Sequence, residues 1–162
     1  MSTPPTTTAQ SSDSREEAHH EPRAIARNAP GTLRSDVSVR THTIVLDEPV
    51  GTPAVPGVPS GTDLGPTPVE LLAASLAGCV AMTVRMYADR KQWKVNALRV
   101  ETRAIRNQPG PGPLDAMEVG VALSGDLSPD QVDRLHDIAT KCPVSRTLAK
   151  GIEIRHARLD PA

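Results

Sequence analysis

The two cysteines, Cys79 and Cys142, are the residues of this sequence best suited to chemistry. Cys79 stands near the middle of an uncharged stretch, LLAASLAGCVAMTV, which runs from residue 71 to residue 84. Thiols of a cytosolic protein usually stay reduced, and a disulfide there is more often transient and redox-active than structural. The pair therefore raises the hypothesis of thiol redox chemistry. The alternative is that both thiols are buried and inert, as most free cysteines are.

Other site chemistries receive less support from the sequence. The five histidines show no metal-ligand spacing with either cysteine, so we expect no metal. There is no GxGxxG motif or glycine-rich phosphate loop, so no nucleotide cofactor is indicated. A hydrolase would need a histidine beside its nucleophile; His42, His136 and His156 remain open as partners, but no GxSxG or CxxC motif occurs.

Composition and charge exclude several classes of partner. Eighteen basic residues face nineteen acidic ones, and the chain has no Phe, one Trp and one Tyr. Without a basic cluster or aromatic side chains to stack on bases, we expect no nucleic acid partner. The apolar stretch is shorter than the roughly 20 residues that span a bilayer, and the N-terminus lacks the apolar core of a secretory signal. We therefore expect a cytoplasmic protein with no membrane partner.

The elements that must position the cysteines follow from local patterns. Residues 1–31 mix Ser, Thr, Pro and charged residues of both signs, and their apolar residues show no helical or alternating spacing. This composition predicts a disordered tail. Residues 32–160 then form a single domain. Strands are predicted within residues 33–49, 94–105, 116–123 and 152–159, with a long loop over 50–66 and a flexible hairpin tip over 106–115. Strands on both sides of two helices indicate an α+β fold.

Both helices have clear start signals. Thr67, Pro68 and Glu70 form a capping box for the main helix, and Ser128, Pro129 and Gln131 repeat it for the second. Cys79 lies on a stripe that we expect to face apolar surroundings, formed by Leu72, Leu76, Cys79, Thr83 and Met86. Cys142 is predicted at the C-terminal end of the second helix, where the helix dipole disfavours a thiolate.

Two segments carry a resemblance to a known family. GPTPVELLAASLAGCVAMTVRMYADRKQW and the later KCPVSRTLAKGIEI resemble the OsmC/Ohr family of osmotically inducible protein C and organic hydroperoxide resistance proteins, over roughly Leu33 to His156. The resemblance implies an intertwined α+β homodimer in which two central helices carry the cysteines and antiparallel sheets from both subunits wrap them. It also implies a thiol-dependent peroxidase that reduces organic hydroperoxides and is regenerated by an external dithiol.

The resemblance also implies roles for individual residues. Cys79 would be the peroxidatic cysteine, and its sulfenic acid would be resolved by Cys142. An arginine from the N-terminal sheet would hold the thiolate, with Arg40 preferred over Arg34 and with Arg146 as runner-up. Arg85 and Arg90 are expected on the exposed face near the end of the main helix. Glu70 is a candidate to position the arginine.

Two positions depart from the family pattern. Hydroperoxide resistance proteins carry a catalytic Glu directly after the helix-start proline, where this chain has Val69, and Ser145 stands where related sequences often have His. Two further hypotheses therefore stand beside the peroxidase. One is a small-molecule or lipid binding protein with little peroxidase activity, and the other is a redox-sensing interaction protein in which a Cys79–Cys142 disulfide changes partner affinity.

Overall fold

The structure is a computed structural model that describes residues 22–159, except residues 54, 109 and 111. It has the predicted α+β fold, built from two antiparallel sheets and three helices. In chain order the elements are β1 (Ala24–Asn28), β2 (Ser35–Val39), β3 (His42–Leu46), α1 (Pro68–Arg90), β4 (Lys94–Ile105), β5 (Ala116–Asp126), α2 (Pro129–Ala139) and α3 (Pro143–Lys150).

The first three strands form a sheet of their own, with β2 in the centre. The turn between β2 and β3 is the two residues Arg40 and Thr41, since Val39 pairs with His42. Among the described residues of these strands, Val37 alone is buried, and the sheet makes few contacts with the helices or with the second sheet. We call β1–β3 the arm, and we call the helices and the second sheet the body.

The second sheet positions the main helix. β4 and β5 pair along nearly their whole length, and β4 packs across α1. The Thr102 hydroxyl donates a hydrogen bond to the Ala73 carbonyl, 2.8 Å away, and so ties β4 to the first half of α1. The predicted bounds of β4 are confirmed, and β5 continues three residues beyond its predicted end.

The body is built around one face of α1. Both predicted capping boxes, at Thr67 and at Ser128, are confirmed. By length and composition alone α1 could cross a membrane, but the core helix of a globular domain can have the same length and composition. In this chain α1 packs against β4, α2 and α3. The buried core cluster consists of Leu76, Val80, Val84, Ala88, Val95, Leu135, Ala139 and Cys142.

The predicted stripe lies beside this buried face rather than at its centre. Leu76 is buried and Cys79 and Thr83 are half-buried, but Met86 is 71% exposed. Because α1 is apolar on more than one side, hydrophobic spacing alone does not select the side that the body covers. One apolar side of the helix thus remains accessible in the single chain.

Three sequence predictions need correction. Ala24–Asn28 form β1, paired with β2, so the predicted tail is too long by at least residues 22–31, and residues 1–21 lie outside the described residues. The second helix ends at Ala139, and a third helix, α3, begins at Pro143. Residues 151–159 form no strand, because they find no pairing partner within the described chain.

A buried carboxylate organises the loop that joins the arm to α1. Asp47 is 2% exposed and accepts hydrogen bonds from the Thr62 hydroxyl and from the amides of Glu48, Thr62 and Leu64. The loop closes tightly here, since a Cβ at Gly61 would collide with the Glu48 carbonyl. Asp47 therefore holds together the two ends of the segment that delivers the chain to the start of α1.

We expect Asp47→Asn to lower the melting temperature at neutral pH and to flatten its acid dependence. The Thr62 hydroxyl, with the three amides, holds the pKa of Asp47 at about 2, below the usual 3.8. Because the folded-state pKa is depressed, this stabilisation is complete above about pH 4 and is lost as the pH falls toward 2. Thermal melts followed by circular dichroism across this range measure the effect. Exposed Asp63 provides the control as Asp63→Asn, and an unchanged acid profile in the Asp47 variant would contradict the assignment.

Candidate thiol site

The structure brings the two cysteines together. Cys79 lies in the middle of α1 and is half-buried, and Cys142 is fully buried directly before α3. Cys79 is near enough to Cys142 to raise the pKa of the Cys142 thiol, and both thiols are free rather than joined as a disulfide. Contact between α1 and α3 therefore produces the thiol pair.

Cys142 is the N-cap residue of α3, which corrects its predicted place at a helix C-terminus. Its Sγ accepts a hydrogen bond from the Ser145 amide at 3.2 Å, as the hydroxyl oxygens of Thr67 and Ser128 do in the other two caps. The N-terminus of a helix favours negative charge, so α3 stabilises a thiolate at this position rather than opposing it.

Burial nevertheless keeps the Cys142 thiol protonated. Desolvation raises the pKa of Cys142, and the neighbouring Cys79 raises it further, while the amides of Ser145 and Val144 act in the opposite direction. Cys79, by contrast, is only half-buried and therefore partly accessible to solvent. The geometry thus distinguishes an accessible thiol on α1 from a buried one that is held by α3.

Two apolar clefts flank the thiol pair along α1. The N-terminal cleft has a volume of about 550 Å³ and is bounded mainly by apolar residues; its lining is Leu72, Leu76, Leu114, Asp115, Ala116, Met117, Val119, Ser145, Leu148 and Ala149. The C-terminal cleft has a volume of about 440 Å³; its lining is Thr83, Met86, Tyr87, Arg90, Ile138, Lys141 and Pro143. Neither lining includes a cysteine; along α1, Cys79 lies between Leu76 of the first cleft and Thr83 of the second.

Glu70 has a structural role at the start of α1. Its Oε2 accepts a hydrogen bond from the Thr67 amide at 2.8 Å, which completes the capping box. It lies nine residues before Cys79, about 13 Å along the helix axis at 1.5 Å per residue. Val69, at the position of the family glutamate, is half-buried.

The candidate arginines lie apart from the thiols within the single chain. Arg40 is exposed in the turn at the tip of the arm, with φ of 54°, and is not on a strand as predicted. Arg34 is paired with Asp36 at 2.9 Å, and Arg146 is exposed on α3. Among the described residues, no side-chain hydrogen bond or ion pair joins these arginines to a cysteine.

The two arginines near the end of α1 differ from each other. Arg85 is half-buried and donates a hydrogen bond to the Val95 carbonyl at 2.8 Å, so it is only partly exposed. Arg90 is exposed, as predicted, but it also lines the C-terminal cleft. No group of three or more potential metal ligands occurs in the part of the chain that the structure describes.

Sequence reasoning missed α3 and, with it, the hydrogen bond from the Ser145 amide to Cys142. The signal is present in the sequence: Cys142 precedes Pro143 as Thr67 precedes Pro68 and Ser128 precedes Pro129. Proline is favoured at the first position of a helix, and a sulfur atom can replace the capping hydroxyl oxygen. The proline was interpreted as the end of one helix when it begins the next.

Comparisons with known proteins identify the family of this fold. The sequence model of the OsmC-like protein family matches residues 61–157. A comparison with curated protein sequences gives no significant match.

Solved structures share the fold at low sequence identity. An OsmC-like protein from Mycoplasma pneumoniae is 21% identical, with a TM-score of 0.64, over 81% of this chain and 89% of that protein. An organic hydroperoxide resistance protein from Elizabethkingia anophelis, with thiocyanate bound, is 18% identical, with a TM-score of 0.60, over 85% of this chain and 94% of that protein. Likeness at such identities concerns the fold and not the activity.

The difference in burial predicts the order in which the thiols react. Iodoacetamide should modify Cys79 of the reduced protein at least about tenfold faster than Cys142, because alkylation requires an accessible thiolate. Peptide mass spectrometry after short exposures gives both rates. In denaturant the two rates should converge, and faster modification of Cys142 in the folded protein would contradict the geometry.

Proposed function

The chain belongs to the OsmC-like protein family, and we propose that it is a thiol-dependent peroxidase that reduces organic hydroperoxides. The observation that carries the proposal is the pairing of one accessible and one buried thiol between two apolar clefts. Apolar walls favour alkyl or lipid hydroperoxides, which bring hydrophobic surface of their own, over hydrogen peroxide.

The first step uses the accessible thiol. The Cys79 thiolate attacks the terminal oxygen of the hydroperoxide, an S–O bond forms and the O–O bond breaks. The alkoxide takes up a proton and leaves as an alcohol, and Cys79 becomes a sulfenic acid. Cys79 acts first because Cys142 is buried and its pKa is raised.

The second step uses the buried thiol. The Cys142 sulfur attacks the Cys79 sulfur, a disulfide forms, and hydroxide leaves and takes up the thiol proton to become water. The Ser145 amide and the N-terminus of α3 stabilise the negative charge on Cys142 during the attack. An external dithiol then supplies two electrons and two protons and restores both thiols. A cytoplasmic location would provide the reducing environment that this step needs.

We also propose that two chains form an intertwined homodimer. The arm makes few contacts with its own body, and α1 exposes Met82 and Met86. Ile152 and Ile154 are about 70% exposed in a segment that alternates apolar and charged residues but has no strand partner among residues 22–159 as far as they are described. Exposed apolar surface on an arm, a helix and an unpaired segment is typical of an interface.

The homodimer would complete the thiol site. A thiolate in apolar surroundings needs a nearby cation, and in this arrangement Arg40 of the partner subunit supplies it from the tip of the arm. Glu70 would orient that guanidinium with the carboxylate oxygen that the cap does not use.

One observation favours a second candidate function. Val69 replaces the glutamate expected in a hydroperoxide resistance protein, and Glu70 is engaged in the capping box. A chain with these features and two apolar clefts could bind small molecules or lipids with little peroxide chemistry. The two candidates differ in the rate at which hydroperoxide consumes the thiols.

One equivalent of cumene hydroperoxide should remove both thiols per chain rapidly, with hydrogen peroxide slower, since the clefts favour apolar substrates. The measurement is a free-thiol count on reduced protein. Cys142→Ser should still react at Cys79 but accumulate sulfenic acid, which a dimedone adduct reveals, and Cys79→Ser should keep its remaining thiol. Persistence of both thiols for many minutes would overturn the peroxidase proposal in favour of the binding protein.

The homodimer should sediment at twice the 17.2 kDa chain mass. Arg40→Gln should leave that mass unchanged and slow the reaction of Cys79 with cumene hydroperoxide by about tenfold, the effect of one unit in thiol pKa. Stopped-flow thiol kinetics measure the rate, and Arg34→Gln is the matched control on the same arm. A monomer in solution, or equal rates for the Arg40 variant and the unaltered protein, would contradict this arrangement.

A further inference from the structure

The arm and α1 are joined directly, although residues 47–66 separate β3 from the N-cap of α1 in the sequence. The Asp47 amide donates a hydrogen bond to the Pro66 carbonyl at 3.3 Å, so the first and last residues of this segment are in contact. The last residue of β3 therefore lies beside the start of α1. The long loop is an excursion from this junction and not a spacer between the arm and the body.

Close packing of the main chain stiffens the junction. A Cβ at Gly65 would collide with the Val45 carbonyl, just as one at Gly61 would collide with the Glu48 carbonyl. The Asp63 amide also donates a hydrogen bond to the Glu48 carbonyl, at 3.1 Å. Backbone segments that approach so closely without side chains between them have little room to slide past each other.

The Asp47 carboxylate lies at the centre of the junction and uses both of its oxygens. Oδ1 accepts a hydrogen bond from the Glu48 amide at 2.8 Å, and Oδ2 accepts from the Thr62 hydroxyl and from the amides of Thr62 and Leu64. No other polar or charged residue of the described chain is buried to the same degree. Separation of the two ends would leave a buried charge and several amides unpaired, which is costly. Asp47 thus locks the ends together.

The direction of the arm depends on this junction, because the arm makes few contacts with the helices or with the second sheet. Arg40 lies at the other end of β3, six residues before Leu46, which corresponds to about 20 Å of extended strand. A tilt of about 10° at the junction would therefore move Arg40 by about 3 Å, more than a hydrogen bond tolerates. Small changes at Asp47 are thus amplified at the tip of the arm.

We propose that Asp47 is a positioning residue, which locks the arm to the start of α1 and so sets where Arg40 meets the thiol site of the partner subunit. The proposal rests on the function proposed above, in which Arg40 of the partner subunit holds the Cys79 thiolate. All the side-chain hydrogen bonds of Asp47 within the described residues lie in the junction itself. Asp47 therefore acts on the chemistry only through Arg40.

A double-mutant cycle tests whether Asp47 acts through Arg40. Asp47→Asn should slow the reaction of Cys79 with cumene hydroperoxide about fivefold or more, since a displaced guanidinium no longer contacts the thiolate. In the Arg40→Gln background the same change should slow the reaction less than about twofold, because the cation that Asp47 positions is already absent. Stopped-flow thiol kinetics well below the melting temperature measure all four rates.

The cycle separates positioning from a general loss of structure. A merely structural role would slow the reaction by the same factor in both backgrounds, and that result would overturn the proposal. Exposed Asp63 supplies the control, since Asp63→Asn removes a neighbouring carboxylate outside the lock and should leave the rate unchanged.

A second variant disturbs the junction without altering the carboxylate. Gly65→Ala introduces a Cβ that pushes against the Val45 carbonyl and moves β3 away from the start of α1. The reaction of Cys79 should slow as in Asp47→Asn, and again only while Arg40 is present. Gly120→Ala is the matched control, because nothing lies within 4 Å of the added Cβ. Unaltered kinetics in Gly65→Ala would contradict the lock.

A distance measurement tests the lock without any peroxide chemistry. Spin labels are attached at Arg27→Cys on β1 and at exposed Arg99→Cys on β4, in a chain that also carries Cys79→Ser and Cys142→Ser. Labelled chains are diluted with unlabelled ones, so that pulsed electron paramagnetic resonance reports distances within one chain. We expect one narrow distance distribution, which Asp47→Asn broadens or shifts while the circular dichroism spectrum is retained.

The distance measurement distinguishes failure of the lock from failure of the peroxidase. Broadening in Asp47→Asn supports the lock even if no hydroperoxide is reduced by the unaltered protein. The same distribution with and without Asp47→Asn refutes the lock, even if Arg40→Gln slows the reaction of Cys79.

Discussion

The constraint on which this structure depends is that one subunit covers only part of a long apolar helix. The body buries the side of α1 that carries Val80, Val84 and Ala88, while Met82 and Met86 remain more than 60% exposed. Removal of apolar surface from water is the main driving force of folding, so an uncovered apolar side of a helix is typical of a surface that binds a ligand or another chain. The open clefts along α1 follow from this incomplete coverage.

The same incomplete coverage explains why a thiol site is built on α1. A cysteine on the buried side would be inert, and one on a solvated side would have no apolar walls to select a substrate. Cys79 lies between the two, where it is half-buried and in contact with the core. Function is thus placed at the boundary between the covered and uncovered sides of a single helix.

Capping chemistry connects the second thiol to the fold. All three helices begin with a capping residue followed by proline, and in α3 the capping atom is the sulfur of Cys142. A group that fixes a helix start is held at a defined position, and here that position is against the middle of α1. The proposed chemistry and the stability of α3 therefore use the same sulfur atom.

Much of the fold could be predicted from the sequence, because its signals are local. The starts of α1 and α2 follow from Thr67–Glu70 and Ser128–Gln131, and β5 follows from the alternation of Met117, Val119, Val121 and Leu123. The two cysteines were also identified as the candidate pair from residue type and family resemblance. Each of these features depends on residues close together in the chain or on a motif that can be read directly.

Tertiary structure alone decided how the distant parts meet. Contacts between residues far apart in the chain decide four features. They are the side of α1 that is buried, the proximity of the thiols, the separation of the arm from the body and the unpaired state of residues 151–159. The N-cap role of Cys142 had a local signal, but a proline ends one helix as readily as it begins another. Only the packing of α3 against α1 resolves that ambiguity, because burial of the Cys142 sulfur requires it.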